Sequence, residues 1–183
     1  MSADRHALLV IDVQNGFDDP AWGRRNNPDA EANIARLVEH WRAAGQPIVV
    51  VRHDSVTPGS PLRPGQPGND LRAGITGDVL ITKNVNSAFY GEPDLHAWLQ
   101  ERDIDRLTIC GVTTNHCCET TARMAGNLGY DVTFVIDATH TFDRQGPDGV
   151  TVTADELARA TAASLHGEFA NVVQIRDVIE PEA

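Results

Sequence analysis

A chain of 183 residues can bury one substantial hydrophobic core without disulfides or metal ions, and we expect a single domain over residues 1–183. Its 15 Lys and Arg residues against 26 Asp and Glu residues give a net charge of −11, which argues against nucleic acid as a partner. The chain has three cysteines, an odd number, and its sequence shows no secretory or membrane-spanning apolar run. These features predict a cytoplasmic protein without disulfides and without a membrane partner.

Short apolar runs of strand length alternate with helical patterns along the chain. The first run, Ala7 to Ile11, is continuous, which is typical of a strand buried on both faces of a parallel sheet. A helix is predicted to begin at Pro28, with Asn27 as its N-cap, and to end before Gly45. The further elements are predicted at 47–51 (strand), 56–77 (proline-rich loop), 78–82 (strand), 93–102 (helix), 107–110 (strand), 114–129 (helix), 132–136 (strand), 153–166 (helix) and 172–173 (strand). This alternation predicts a three-layer α-β-α sandwich around a mainly parallel six-stranded sheet.

Charged side chains end two of the predicted strands. Asp12 follows the first strand and Lys83 follows the third. Ligands of such sheets bind outside the carboxyl ends of the strands, so both residues are expected at the ligand-binding edge. Opposite charges at one edge suggest an ion pair, because either charge alone would lose its solvation. Taken singly, Asp12 could equally cap a loop and Lys83 could equally be a solvated strand end.

Cys117 is predicted in the turn between the fourth strand and the following helix. Unpaired backbone N–H groups and the positive end of the helix dipole favour a thiolate there, as a nucleophile requires. A buried, apolar cysteine is the alternative. His116 is not expected to act as its base, because adjacent helical side chains point about 100° apart. Asp137, at the end of the fifth strand, is interpreted as a structural carboxylate.

Three ordered segments together resemble a known family: IDVQNGF (residues 11–17), KNVNSAF (83–89) and GVTTNHC (111–117). Each follows a predicted strand, and together they resemble the isochorismatase-like cysteine hydrolases. That superfamily includes nicotinamidases, N-carbamoylsarcosine and ureidoacrylate amidohydrolases, and isochorismatases. The resemblance covers nearly the whole chain and implies the same fold, a small-molecule substrate and a homodimer or larger homo-oligomer.

Carried over onto this sequence, the resemblance implies a catalytic triad of Asp12, Lys83 and Cys117. It also implies a cis peptide bond between Val112 and Thr113, and an oxyanion hole formed by the backbone N–H groups of Thr113 and Cys117. In the mechanism that follows, Asp12 takes the thiol proton, Lys83 stabilises the charges, and the thiolate attacks a carbonyl carbon to give a thioester.

The region after the second strand decides whether a metal site is expected. Nicotinamidases of the superfamily bind zinc there through an Asp-x-His pattern and a further histidine. This chain instead has His53 followed by Asp54, and no histidine between Ser55 and Gly77. Zinc takes three or four protein ligands, so neither a metal nor another cofactor is expected.

A substrate pocket is expected around the three segments. Its aromatic and small polar side chains suit a small, partly planar substrate. Ordinary core and loop packing is the alternative for each of these residues. The candidates are Phe17, Trp22, Ser87, Phe89, Tyr90 and His116.

The sequence therefore favours a cysteine hydrolase that cleaves the C–N bond of a small amide, carbamoyl or ureido compound. A vinyl ether hydrolase of the isochorismatase type is an alternative, but that chemistry needs no cysteine, so Cys117 argues against it. A non-catalytic binding protein on the same fold is a further alternative, because a fold does not determine function.

Overall fold

The computed structural model describes residues 5–180. The strands within this range are β1 (His6–Ile11), β2 (Ile48–His53), β3 (Val79–Lys83), β4 (Arg106–Val112), β5 (Asp131–His140), β6 (Arg144–Gln145), β7 (Thr151–Val152) and β8 (Asn171–Val173). Six of them form one parallel sheet in the order β3-β2-β1-β4-β5-β8. The chain winds from β1 to one edge and then from β4 to the other. This change of direction between β1 and β4 creates the crevice in which ligands of such sheets bind.

Helices cover both faces of the sheet. They are α1 (Ala30–Ala43), α2 (Leu95–Gln100), α3 (Glu119–Asn127), α4 (Ala154–Leu165) and α5 (Ile175–Ile179). Side chains alternate along β1, so that Leu8 and Val10 pack with α1 and α5 while Leu9 and Ile11 pack with α2, α3 and α4. All four side chains are fully buried. The three-layer sandwich and the six-stranded parallel sheet predicted from the sequence are thus confirmed.

The first helix begins later than the sequence predicts. Its N-cap is Asp29 rather than Asn27, so Pro28 lies in the preceding turn and not in the helix. Asn27 has a positive φ of 48°, which is incompatible with a helix start. Its side-chain amide donates a hydrogen bond of 2.6 Å to the carbonyl of Thr139 instead. A long-range contact, which a local capping pattern cannot indicate, therefore fixes this turn.

The fifth strand continues past Asp137, where the sequence predicts its end, and reaches His140. The Asp137 carboxylate accepts a hydrogen bond of 2.8 Å from the N–H of Ile175, so the charge is satisfied within the strand. This contact agrees with a structural role for Asp137. The extension carries residues 138–142 to the carboxyl edge of the sheet.

Two further elements have no counterpart in the sequence prediction, namely the β6–β7 hairpin and α5. Among residues 5–180 there is no helix long and apolar enough to span a membrane. The segment before Arg5, on which the localisation prediction partly depends, lies outside the described residues.

Candidate active site

Asp12 and Lys83 form a buried ion pair at the carboxyl edge of the sheet. The Lys83 ammonium donates a hydrogen bond of 2.6 Å to Oδ2 of Asp12, and both side chains are fully buried. Asp12 follows β1 with a positive φ of 52°, and its N–H donates to the carbonyl of Val51. β1 and β3, which flank β2 in the sheet, therefore place opposite charges together at this edge, as the sequence suggests.

Cys117 lies beside this ion pair. It belongs to a π-helical turn, Thr114–Cys118, that leads into α3 and follows a cis peptide bond between Val112 and Thr113. The ligand atoms of Asp12, His53 and Cys117 all lie within 4.8 Å of one another. Sγ of Cys117 is also 3.7 Å from the side-chain oxygen of Asn86. The turn thus points the thiol at the carboxylate rather than into the core.

The surroundings of the thiol favour its neutral form. Burial and the charge of Asp12 raise the pKa of Cys117 well above that of an ordinary thiol, although Lys83 opposes this rise. These two influences act against the thiolate that the position at the start of a helix favours. Burial disfavours the charged form of Lys83, but Asp12 and Cys117 raise its pKa overall, so the ammonium persists.

One oxygen of Asp12 has no protein donor. Oδ1 is buried and accepts no hydrogen bond from the described residues, whereas Oδ2 is held by Lys83. Leaving a buried carboxylate oxygen unpaired costs about 1–3 kcal/mol or more. Sγ of Cys117 lies within 4.8 Å of a carboxylate oxygen of Asp12, so this carboxylate can accept the thiol proton.

His53 stands on the other side of Lys83. Its Nδ1 accepts a hydrogen bond of 3.2 Å from the ammonium, and burial together with Lys83 lowers the pKa of this histidine. Asp12, His53 and Cys117 are close enough to share a metal ion. However, Lys83 already contacts the first two, so a second cation there would meet a positive charge. The donor set therefore does not fit a metal while the ammonium is in place.

A cavity of about 680 Å³ opens above these residues. Asp12 and Cys117 form part of its lining, with loop residues 57–62 and the segment after β5 as its walls. The lining residues are Asp12, Phe17, Trp22, His53, Ser55, Thr57, Pro58, Gly59, Ser60, Pro61, Leu62, Asn86, Thr113, His116, Cys117, Thr141, Phe142 and Arg144. A separate surface groove of about 640 Å³, near Arg42 and Trp98, contains none of the candidate triad residues.

Three of the six predicted pocket residues line this cavity. Phe17 and Trp22 pack against each other with ring centroids 5.2 Å apart, and both contact Phe142. His116 reaches the cavity with its Nδ1 3.0 Å from Oγ1 of Thr113, and it makes no contact with Sγ that would let it act as a base. Phe17, Trp22 and Phe142 thus form an aromatic wall of the cavity.

The other three predicted pocket residues lie outside the lining. Ser87 is buried, and its hydroxyl accepts a hydrogen bond from the N–H of Phe89. Phe89 stacks on Tyr130, with centroids 5.9 Å apart, and contributes to the core instead. Tyr90 is 69% exposed and borders a different surface groove. These three side chains therefore do not line the cavity, which sequence proximity to Lys83 does not show.

Several lining residues are absent from the sequence prediction. Asn86 lies within the second of the three segments and could have been included. Thr141, Phe142 and Arg144 come from the extension of β5 and the hairpin, which carry no motif. Their position depends on how β5 passes Asp137, so no local pattern indicates it.

A family model described as an isochorismatase domain matches residues 6–164. The chain belongs to the isochorismatase family. This membership confirms the resemblance based on the three segments, and the protein is a hydrolase of that family.

Individual relatives are similar to this chain over most of their own length and of its length. The isochorismatase family protein YrdC of Bacillus subtilis is 37% identical over 179 residues, which cover 96% of this chain and 95% of YrdC. Nicotinamidase 3 of Arabidopsis thaliana is 32% identical over 91% of this chain and 83% of its own. The crystal structure of an isochorismatase family hydrolase from Chromobacterium violaceum superimposes with a TM-score of 0.92 at 41% identity, covering 99% of this chain and 95% of the other.

Proposed function

We propose that this isochorismatase family hydrolase cleaves the C–N bond of a small amide, carbamoyl or ureido compound, with Cys117 as nucleophile. The observation that carries the proposal is the buried Asp12–Lys83 pair beside the Cys117 thiol at the cavity floor. A binding protein would gain little from an unpaired, buried carboxylate oxygen next to a thiol. The similarity to a nicotinamidase supports amide chemistry.

The reaction begins with proton transfer inside the cavity. Asp12 accepts the thiol proton at Oδ1, and the thiolate attacks the substrate carbonyl carbon. The new C–S bond forms as the carbonyl electron pair moves to oxygen. When the tetrahedral intermediate collapses, protonated Asp12 gives its proton to the leaving nitrogen and the C–N bond breaks. Water then hydrolyses the thioester, with Asp12 as its base, and the thiol is restored.

Lys83 stabilises the charges during these steps. Its ammonium remains within 2.6 Å of Oδ2 while the proton moves to and from Oδ1. The sulfur of Cys117 also raises the pKa of Lys83, because a negative charge there favours the ammonium. The ammonium in turn stabilises the thiolate as that charge forms. Because the pair is buried, these interactions are stronger than they would be in water.

The backbone N–H groups of Thr113 and Cys117 are the proposed oxyanion hole. Both residues line the cavity, at the turn that begins the π-helical segment. Backbone N–H groups beside a reactive thiol can bind the oxygen that becomes negative in the transition state.

The absence of a metal requirement, the cytoplasmic location and the homo-oligomeric state stay predictions. So does the single domain over residues 1–183. Dialysis against EDTA in the activity assay described next checks the first of these, and the proposal expects unchanged turnover.

The experiment that tests the proposal is ammonia release from a panel of small primary amides and ureido compounds. Wild-type protein is compared with Cys117→Ala and with the matched control Cys118→Ala, whose side chain is fully buried outside the cavity lining. We expect turnover by wild type and Cys118→Ala and a loss of at least about 10³-fold in Cys117→Ala. Equal turnover by Cys117→Ala contradicts the proposal.

A further inference from the structure

One cationic side chain in the cavity lining has no role in the chemistry described above. Arg144 starts the β6–β7 hairpin and lines the cavity that contains Cys117. Its guanidinium lies near enough to His116 to lower the pKa of that histidine, an effect that adds to burial of the ring. Arg144 therefore stands at the mouth of the cavity, on the side of His116.

Arg144 differs from other arginines of this region because it lacks a carboxylate partner. Arg24, Arg25 and Arg72 each form an ion pair with an Asp or Glu side chain. Among residues 5–180, no carboxylate forms an ion pair with Arg144. Arg42, Arg63 and Arg159 also form no ion pair with a described carboxylate, so Arg144 is distinguished by its place in the lining of the cavity that contains Cys117.

The neighbouring acid, Asp143, cannot serve as its partner. Oδ2 of Asp143 accepts a hydrogen bond of 3.0 Å from Arg24, and Oδ1 accepts one of 2.7 Å from the N–H of Ala154 at the start of α4. Its own N–H donates to the carbonyl of Arg24. These three bonds fix the backbone just before Arg144. The hairpin is thus anchored while the guanidinium stays available.

The charges of the cavity leave Arg144 uncompensated. The only carboxylate in the described lining is Asp12, which is neutralised by the buried Lys83. Burial lowers the pKa of both His53 and His116, so neither ring adds a lasting positive charge at neutral pH. Arg144 therefore has no carboxylate partner in a described lining that also contains the aromatic rings of Phe17 and Phe142.

We infer that Arg144 is a specificity-determining residue that binds a carboxylate of the substrate, so that the hydrolysed compound is a small amide or ureido acid. A guanidinium binds a carboxylate through two parallel hydrogen bonds, which fixes orientation as well as adding affinity. With the carboxylate at Arg144, the other end of a short substrate can extend along the aromatic wall towards Cys117. This inference rests on the proposed function and names the substrate class of the same site.

The first test compares two alkylating reagents that differ in charge. Iodoacetate carries a carboxylate, whereas iodoacetamide is nearly isosteric and neutral. The rate of Cys117 modification by each reagent is followed by peptide mass spectrometry in wild type, Arg144→Gln and Arg144→Lys. Because both reagents react with the same thiol, their rate ratio cancels changes in the thiolate fraction. The matched control is Arg159→Gln, an exposed arginine of α4 outside the cavity lining.

We expect Arg144→Gln to lower the iodoacetate to iodoacetamide ratio at Cys117 by about tenfold, the loss of one charge-assisted contact. Arg144→Lys should retain part of the ratio, and Arg159→Gln should leave it as in wild type. An equal fall in Arg159→Gln indicates a general charge effect and overturns the inference. An unchanged ratio in Arg144→Gln overturns it as well.

Binding measurements decide the inference even if the chemistry at Cys117 is different. Calorimetry with Cys117→Ala compares malonamate, succinamate and glutaramate with propanamide, butanamide and pentanamide, in which a methyl group replaces the carboxylate. At least one acid should bind about tenfold tighter than its neutral partner, and Arg144→Gln should abolish the difference. Equal affinities, or no binding of any acid, overturn the inference. Turnover of neutral amides without preference for acids would leave the proposed function intact.

Discussion

The chemistry of the site depends on three residues whose charges influence one another over a few ångströms. Asp12 has one oxygen held by Lys83 and one without a hydrogen bond from the described residues, and Sγ of Cys117 lies within 4.8 Å of this carboxylate. Burial and Asp12 raise the pKa of Cys117 and so favour the neutral thiol. An uncharged resting thiol is less exposed to oxidation than a thiolate, because thiolate is the reactive form.

Replacing Asp12 and replacing Lys83 should move the pKa of Cys117 in opposite directions. Asp12 raises this pKa and Lys83 lowers it. Asp12→Asn should therefore shift the pH dependence of Cys117 alkylation to lower pH by one unit or more, whereas Lys83→Met should shift it to higher pH. Alkylation by iodoacetamide across a pH series, with peptide mass spectrometry to separate Cys117 from Cys118, gives both values. Shifts of the same sign would contradict the arrangement.

The sequence identified the triad candidates because each follows a strand that is recognisable locally. The strand runs that end at Asp12 and Lys83 are continuous and apolar, and the sheet edge then brings both residues together. Phe89 was assigned to the pocket wrongly, since its contact with Tyr130 depends on a distant element. Arg144 was missed because only the anchoring of Asp143 to Arg24 and α4 places it at the cavity.

At the scale of elements, close contact between β1 and β4 positions the turn that contains Cys117. Gly111 has a φ of 134°, and a Cβ added there would lie 2.0 Å from the carbonyl oxygen of Ile11. The two strands can therefore approach only if this position has no side chain. The register of β4 against β5 also shifts at this point, between Ile109 and Gly111.

Gly111→Ala should destabilise the protein strongly. The added methyl group meets backbone atoms of β1 that cannot move aside, so the expected loss exceeds about 3 kcal/mol of unfolding free energy. Gly129→Ala is the matched control, because Gly129 also has a positive φ, of 89°, but no atom within 4 Å of an added Cβ. Its loss should be limited to about 1–2 kcal/mol of backbone strain. Urea unfolding of both variants measures the difference, and equal losses would show that the strand contact is not limiting.

At the scale of the whole molecule, the fold favours the neutral form of three histidines, although Glu31 opposes this effect at His140. Burial lowers the pKa of His53, His116 and His140 below the ordinary value of 6.5. His140 is fully buried beside Glu31, whose carboxylate is bound by Arg25. The unfolded chain can protonate these rings freely, whereas the folded protein resists protonation.

Stability should therefore fall as the pH drops from about 7.5 to about 5.5. In this range the unfolded state binds more protons than the folded state, and each histidine contributes at most about 1.4 kcal/mol per pH unit. Urea unfolding at both pH values measures the change. His140→Leu should show a smaller decrease than wild type, whatever its absolute stability. A free energy that is constant or rises towards pH 5.5 would contradict the neutral state of these rings.

The central claim is that Cys117 forms a covalent thioester with the substrate, and trapping that intermediate tests it most directly. Protein mixed with an amide that is turned over is quenched in acid within milliseconds to seconds and analysed by mass spectrometry. The account predicts a mass increase equal to the acyl group, located on the peptide that contains Cys117 and absent from Cys117→Ala. Turnover with no adduct in wild type and undiminished ammonia release by Cys117→Ala would contradict it.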